Sequence, residues 1–135
     1  PFSAFSLSPV HLKPDGRGTV RLKSPDPMAA PEIRFNFLKS AYDWQALIEG
    51  TRICREIARQ PALKPFVMEE IMPGAGVTAE ADLKAFIRAN GVSNLHPVGT
   101  CRMGHGTDDV VDPQLRVHGI AGLRVADDPS CRVAR

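Results

Sequence analysis

The sequence predicts an α+β fold in which helices pack on one face of an antiparallel sheet. Three observations lead to this prediction. Polar and apolar residues alternate in the first third of the chain, turn sequences separate these stretches, and from Asp43 the apolar residues recur at steps of three and four. Because the strands come first and the helices follow, the order of elements favours layered α+β over parallel α/β architecture.

The first third of the chain is predicted to contain three strands. Phe2–Leu12 alternates roughly, Pro14-Asp15-Gly16 is turn sequence, and Thr19–Lys23 alternates with period two, which together predict an antiparallel hairpin. After a proline-rich break, Glu32–Leu38 is predicted as a third strand. Three apolar residues of this strand share one face, which we expect to be buried: Ile33, Phe35 and Phe37.

The middle of the chain is predicted to form two helices. Asp43 is expected to cap the first, which ends at Gln60-Pro61, and Thr78 is expected to cap the second, which stops at Asn90-Gly91. Residues 61–76, rich in proline and glycine, are predicted to be an ordered loop. Four residues of the second helix are expected to face inward: Ala81, Leu83, Phe86 and Ile87.

The composition excludes several classes of protein. Of the 135 residues, 43% are hydrophobic, and 17 Lys and Arg stand against 15 Asp and Glu without a basic stripe, so nucleic acid is not an expected partner. No apolar run is long enough to span a membrane. The three cysteines are widely spaced and give no disulfide framework or Cys-x-x-Cys motif. Because Pro1 stands first, we expect an internal fragment of a longer protein.

His96 is the best catalytic candidate among the four histidines. Pro97 follows it directly and Gly99-Thr100 comes next, so the imidazole is expected to be held at a rigid bend. A histidine that titrates near neutral pH can take a proton from a hydroxyl or stabilise an alkoxide. The residues alone leave open a solvated turn histidine without a catalytic role. The other three are expected to be solvated, at a strand end or in turns: His11, His105 and His118.

Metal binding is an open alternative that the spacing does not favour. Four residues could act as zinc ligands: His96, Cys101, His105 and His118. Their spacing matches no zinc pattern, and we expect no metal site. Three nearby aspartates lack EF-hand spacing and are predicted to form a solvated acidic turn: Asp108, Asp109 and Asp112.

The last third of the chain contains the triplet Leu-Arg-Val twice, at residues 115–117 and 123–125. We interpret this recurrence as coincidence, because a repeat architecture needs a longer unit. The chain has no Gly-x-Gly-x-x-Gly motif, so it is not expected to bind a dinucleotide by itself.

The same region resembles the C-terminal signature of the glucose–methanol–choline (GMC) oxidoreductases. Residues 96–104 read HPVGTCRMG, residues 110–120 read VVDPQLRVHGI, and Gly122–Val125 is followed by Asp127. The resemblance extends back through both helices to Ser24–Pro27. Bacterial choline and alcohol dehydrogenases are the most similar branch, and sugar and aryl-alcohol oxidases stay open as alternatives. It implies that residues 1–135 are a C-terminal domain, with 1–105 on the substrate side and 106–135, including a last strand, returning to an FAD-binding domain.

The resemblance also implies a cofactor, a reaction and partners. FAD would be bound mainly by a missing N-terminal FAD-binding region, and a small-molecule primary alcohol would lose hydride to flavin N5 with His96 as acid/base. Asp127 would contact the cofactor, although a strand-end cap is an equal alternative. Cys101 and Arg102 would support the wall behind His96. Oxygen and a quinone both stay open as electron acceptors, and a bacterial cytoplasmic or membrane-peripheral location is expected.

The resemblance ends after Asp127, where the family supplies a second catalytic His or Asn. The sequence Pro129-Ser130-Cys131-Arg132 is what a one-base shift would produce from codons for Ser-Ile-Met-Pro, so we hypothesise a frameshift. The isolated chain is expected to be colourless, inactive and prone to aggregate. An inactive truncated chain that serves only as a binding module is the alternative function.

Overall fold

The computed structural model describes residues 3–96 and 98–126. In these residues two strands precede two α-helices, and the bounds of these elements are β1 Thr19–Arg21, β2 Glu32–Arg34, α1 Ala41–Ala58 and α2 Glu80–Asn90. The strands form an antiparallel pair, which confirms the predicted α+β class. Neither helix in the described ranges is long and apolar enough to cross a membrane.

The chain divides into two compact units. The first unit consists of Phe37–Val92 and the described part of Pro1–Gly16, and it contains both helices. The second consists of Arg17–Asn36 and the described part of Ser93–Arg135, and contains both strands. The predicted boundary at residue 105 stays a prediction.

The strand pairing differs from the predicted hairpin. β1 pairs with β2 in the register Thr19↔Arg34, Val20↔Ile33 and Arg21↔Glu32, and residues 3–18 form no strand. The early segment instead lies against α1, where a Cβ added to Gly50 would come within 2.6 Å of the Pro9 Cβ. The absence of a side chain at Gly50 therefore allows this proline to approach the helix closely.

The third predicted strand is shorter than expected, and the prediction of a buried face was wrong. β2 ends at Arg34, and Asn36 and Leu38 have φ values of 54° and 61°, in the left-handed region that interrupts an extended strand. The side chains of Ile33, Phe35 and Phe37 are about half exposed. Alternation in a sequence carries no information about whether another layer covers the residues or where the strand ends.

Both helices form where they were predicted, but neither predicted cap is correct. Ser40 is the N-cap of α1 and its side chain accepts a hydrogen bond from the Tyr42 amide, whereas Asp43 lies inside the first turn. Ala79 caps α2 without a side-chain hydrogen bond, so Thr78 does not act as the cap. The predicted stop at Asn90-Gly91 is confirmed, and the Gly91 amide donates to the Ile87 carbonyl at 2.8 Å.

The core of the first unit joins the two helices. Ile48 from α1 packs with Leu83 and Ile87 from α2, and Leu83 is fully buried. Trp44 packs against this core, and the Arg88 Cζ lies 4.9 Å from its ring centroid, which is within cation–π range. Of the residues predicted to face inward, Ala81 is exposed and its prediction was wrong.

Arg55 of α1 anchors the loop that connects the helices. Its guanidinium donates to both carboxylate oxygens of Glu70, with the shortest distance 2.8 Å, and to the carbonyls of Val77 at 2.9 Å and Gly74 at 3.1 Å. The Arg55 side chain is only 13% exposed. These contacts explain how an irregular segment without long secondary structure keeps one conformation, as the sequence predicted for an ordered loop.

Replacing Arg55 with alanine should loosen this loop. We expect cleavage by chymotrypsin after the exposed residues Phe66 and Met68 to accelerate about tenfold, since the net loss of charged hydrogen bonds is on the order of 1.5 kcal/mol. Arg52→Ala is the matched control, because Arg52 lies on the same helix and its ion pair with Glu49 is exposed to solvent. Equal cleavage rates in the two variants would contradict the anchoring role.

Candidate functional site

His96 lies in an irregular segment between α2 and a turn at Thr100, and it is exposed. Its neighbour Leu95 has a φ of 59°, is 83% exposed, and donates its amide to the Ser93 hydroxyl at 3.2 Å. Gly99 has a φ of 88°, a conformation that favours glycine. Pro97 is outside the described residues, so the rigid bend predicted at His96-Pro97 stays a prediction.

Residues 102–118, which we call the 102–118 loop, fold back on themselves directly after this segment. The Arg102 carbonyl accepts the amides of Val110 at 2.8 Å and Val111 at 3.3 Å. The Gly104 amide donates to the Val111 carbonyl at 2.9 Å. Val111 is fully buried, so it forms the apolar centre of this small structure.

Asp109 holds the 102–118 loop together from the inside. Its Oδ1 accepts the Arg102 Nε at 2.5 Å and its Oδ2 accepts the Gly106 amide at 2.8 Å. A Cβ at Gly104 would come within 2.0 Å of Oδ2, so this position has room only for glycine. The prediction that Asp109 forms part of a solvated acidic turn was therefore wrong.

The Asp112 carboxylate also holds the backbone of the residues that follow it. Its carboxylate accepts the Gln114 amide at 2.8 Å, the Arg116 amide at 2.9 Å and the Arg116 Nε at 2.6 Å. Burial alone would raise the pKa of Asp112, but these hydrogen bonds outweigh it and hold the pKa below its ordinary value. Like Asp109, Asp112 therefore stabilises a turn through its carboxylate, which the prediction of a solvated acidic turn did not include. Asp108 is exposed, as predicted.

Two histidines have partners that the sequence did not predict. His118 Nε2 lies 2.9 Å from the Gly104 carbonyl, to which it can donate. His11 Nε2 lies 3.0 Å from Asp43 Oδ1, and the His11 side chain is only 15% exposed. The prediction that His11 is simply solvated was therefore wrong, whereas His105 and His118 are exposed as predicted, His118 with an added hydrogen bond.

The residues considered as zinc ligands do not form a cluster. Across residues 3–96 and 98–126, no three His, Cys, Asp or Glu side chains lie close enough to hold one metal ion. Cys54 and Cys101 are free, half-buried thiols.

The two Leu-Arg-Val triplets pair with each other. The Val117 amide donates to the Leu123 carbonyl and the Val125 amide to the Leu115 carbonyl, each at 3.0 Å, around an antiparallel bridge between Arg116 and Arg124. The two triplets therefore form the two sides of one small ladder. A shallow, open concavity of about 580 Å³ lies beside it, lined by Asp112 and residues 116–124, and His96 does not line it.

Asp43 forms a second polar site, which the sequence analysis missed. It is 3% exposed and accepts the Asp15 amide at 2.8 Å and the Gly16 amide at 3.0 Å, in addition to His11. Burial would raise the pKa of Asp43, but the hydrogen bonds from Asp15, His11 and Gly16 together hold it below its ordinary value. Its position within the apolar repeat of the helix was the signal that it faces inward.

Asp127, predicted to contact the cofactor, and the divergent tail after it lie outside the described residues. Of the predicted site residues, the structure therefore describes His96 alone. Its position on the surface leaves the imidazole accessible to a ligand or to another part of a larger protein.

Comparison with known proteins identifies the family. The model for GMC oxidoreductases, C-terminal part, matches residues 14–130. Oxygen-dependent choline dehydrogenases are among the curated relatives: the protein from Klebsiella pneumoniae subsp. pneumoniae is 46% identical and that from Pseudomonas aeruginosa (strain LESB58) is 44% identical, each over 116 residues. These alignments cover 86% of this chain but only 21% of each relative.

Solved structures agree with this assignment. An FAD-dependent oxidoreductase from Chaetomium thermophilum is 36% identical with a TM-score of 0.79, over 89% of this chain and 21% of its own. Pyridoxine 4-oxidase from Mesorbium loti is 30% identical with a TM-score of 0.80, over 87% and 23%. Together with the signature from His96 onward, these matches show that the chain belongs to the GMC oxidoreductase family, of which it spans the C-terminal domain.

Proposed function

We propose that this chain is the C-terminal, substrate-facing part of an FAD-dependent enzyme that oxidises a primary alcohol, with His96 as the acid/base residue. The observation that carries the proposal is the exposed His96 at the start of the HPVGTCRMG signature, in a domain about 45% identical to choline dehydrogenases. Its partners would be the alcohol and the FAD-binding region of the complete protein, for which we propose a cytoplasmic or membrane-peripheral location.

We propose that this chain supplies residues on one side of a flavin site, and that the rest of the site lies in other parts of the complete protein. The sequence has no Gly-x-Gly-x-x-Gly motif, and the described strands form only a two-stranded antiparallel pair, so a dinucleotide would be held mainly by residues outside this chain. His96 fits the remaining side because it is exposed. Asp127 is the other residue that we propose to contact the cofactor.

The chemistry divides between cofactor and protein. A bound flavin would supply the hydride acceptor, N5, for the hydrogen on the carbinol carbon of the alcohol. An imidazole nitrogen of His96 accepts the proton that leaves the hydroxyl oxygen, so that hydride and proton together account for the two hydrogens lost when an alcohol becomes an aldehyde. Charge developing on the substrate oxygen would be stabilised by the resulting imidazolium.

The proposal is tested on the complete protein that carries these 135 residues. We expect the purified protein to show the visible absorption bands of flavin, and anaerobic mixing with choline to bleach them. Tetramethylammonium, which has the same cationic head but no hydroxyl, is the control and should leave the bands unchanged. Reoxidation by oxygen and by a soluble quinone, measured separately, then identifies the electron acceptor.

Two results would contradict this proposal. One is a complete protein without flavin absorption. The other is a flavin-containing protein whose bands are bleached by none of three primary alcohols: choline, pyridoxine and a benzylic alcohol. The 135-residue chain expressed alone is expected to lack flavin absorption, because it supplies only one side of the site.

A further inference from the structure

We propose that the ion pair between Arg102 and Asp109 positions His96 for proton transfer. This inference rests on the proposed function of His96. Arg102 and Asp109 are positioning residues here, because nothing requires either of them to touch the substrate.

The pair is tightly integrated into its surroundings. Arg102 Nε donates to Asp109 Oδ1 at 2.5 Å, and the other carboxylate oxygen of Asp109 accepts the Gly106 amide at 2.8 Å. The Asp109 amide in turn donates to the Gly106 carbonyl at 3.1 Å. The carboxylate is thus fixed on both oxygens, and it fixes the direction of the arginine side chain.

Burial distinguishes this pair from a surface ion pair. The Asp109 side chain is 13% exposed and that of Arg102 is 35% exposed, whereas both partners of the Arg52 and Glu49 pair are more than half exposed. Solvent therefore screens the attraction between Arg102 and Asp109 less. The structure allows the pair to hold the backbone more firmly than an ordinary surface contact would.

The main chain of Arg102 is held as firmly as its side chain. Its carbonyl accepts both the Val110 and Val111 amides, and Val111 is fully buried. Arg102 is therefore fixed through two backbone hydrogen bonds and one ion pair. Only five residues separate it from His96, with a turn at Thr100-Cys101 between them.

The described residues on either side of His96, 93–95 and 98–100, have few interactions of their own. Leu95 and Val98 are exposed, and the hydrogen bond from the Leu95 amide to Ser93 joins two residues of the same loop. On this proposal, Arg102, the nearest firmly held residue that follows His96, restrains the position of the imidazole. A displacement of about 1 Å at a catalytic group can lower the rate by on the order of a hundredfold.

The test is a double-mutant cycle in the complete flavin-containing protein, with choline or whichever primary alcohol bleaches the flavin. Arg102→Ala is expected to lower kcat by about tenfold to a hundredfold while KM changes by less than about threefold. In a His96→Ala background the same substitution should lower kcat by less than about twofold, since there is no imidazole left to position. Flavin content per protein is measured in every variant.

Arg116→Ala is the matched control. Arg116 Nε forms a 2.6 Å ion pair with Asp112 in the same unit, so the substitution removes the same type of contact farther along the chain. We expect its kcat to stay within about twofold of the wild type. If the Arg102→Ala protein loses its flavin, Arg102→Lys and Asp109→Asn replace it in the cycle. We expect each of them to cause a smaller loss of kcat, which again disappears in the His96→Ala background.

The outcomes separate the positioning inference from the proposed function. An equal loss of kcat from the Arg102 substitution in both backgrounds, or no loss with His96 present, overturns the positioning role while His96→Ala still reports on the proposed function. If His96→Ala itself costs only a few fold, both proposals fall. A loss with Arg102→Ala that depends on His96 and spares Arg116→Ala supports the positioning role.

Discussion

Replacing His96 with alanine in the complete protein should lower kcat for alcohol oxidation by about a hundredfold or more, which is the typical contribution of a general acid or base. The substitution removes the imidazole that accepts the hydroxyl proton and leaves the rest of the exposed segment intact. Because His96 is exposed and lies outside both helices, its loss should not disturb the packing of the domain. Flavin content and the unfolding temperature should therefore match those of the wild type.

His105→Ala provides the control for this substitution. His105 is exposed in the turn after the same signature, and its removal should change kcat by less than about twofold. Steady-state kinetics with the bleaching alcohol, corrected for flavin content, gives the measurement. A loss of only a few fold in His96→Ala would reject the acid/base role and leave the family assignment intact.

The sequence predicted the helices better than the strands, because helical contacts are local. The end of α2 at Asn90-Gly91 and the inward positions Leu83 and Ile87 followed from spacing alone. Strand pairing joins residues far apart in the sequence, so the alternating residues at 19–23 could not identify their partner. The structure shows that the partner is β2 and not the N-terminal segment, in which Pro9 approaches α1 instead.

The candidate site was predicted in part. The signature singled out His96, which the structure shows to be exposed, and its catalytic role stays a prediction. The contacts of Asp109 and His118 could not be predicted, since they depend on how the 102–118 loop folds back on itself. Aspartates near glycines are typical of solvated turns and of turn-stabilising carboxylates alike.

Asp43 illustrates the same limit within a helix. An aspartate near the start of a helical pattern is usually a cap, and that preference led to the wrong prediction. Ser40 takes the capping position three residues earlier, which places Asp43 on the inward side of the first turn. There its carboxylate accepts hydrogen bonds from the segment containing His11, Asp15 and Gly16.

Asp43→Ala is expected to lower the free energy of unfolding of the first unit by about 3 kcal/mol, because it removes a buried carboxylate that accepts hydrogen bonds from the Asp15 and Gly16 amides and pairs with His11. Urea unfolding of the 135-residue chain, at a concentration low enough to keep it monomeric and followed by the fluorescence of Trp44, its single tryptophan, gives the measurement. Glu49→Ala, on the exposed side of the same helix, should change stability by less than about 0.5 kcal/mol.

The pH dependence of the free energy of unfolding distinguishes the contribution of the Asp43 charge from that of its shape. Because its pKa in the folded chain lies below the ordinary value of 3.8, the ionised carboxylate stabilises the fold above that value, and this contribution is lost as the pH falls through the folded pKa. Asp43→Asn keeps the shape and one acceptor oxygen but cannot ionise, so its stability deficit should persist above about pH 4 and shrink as the pH falls below it. A deficit that stays constant from pH 7 to pH 3 would show that His11, Asp15 and Gly16 respond to the geometry of this side chain and not to its charge.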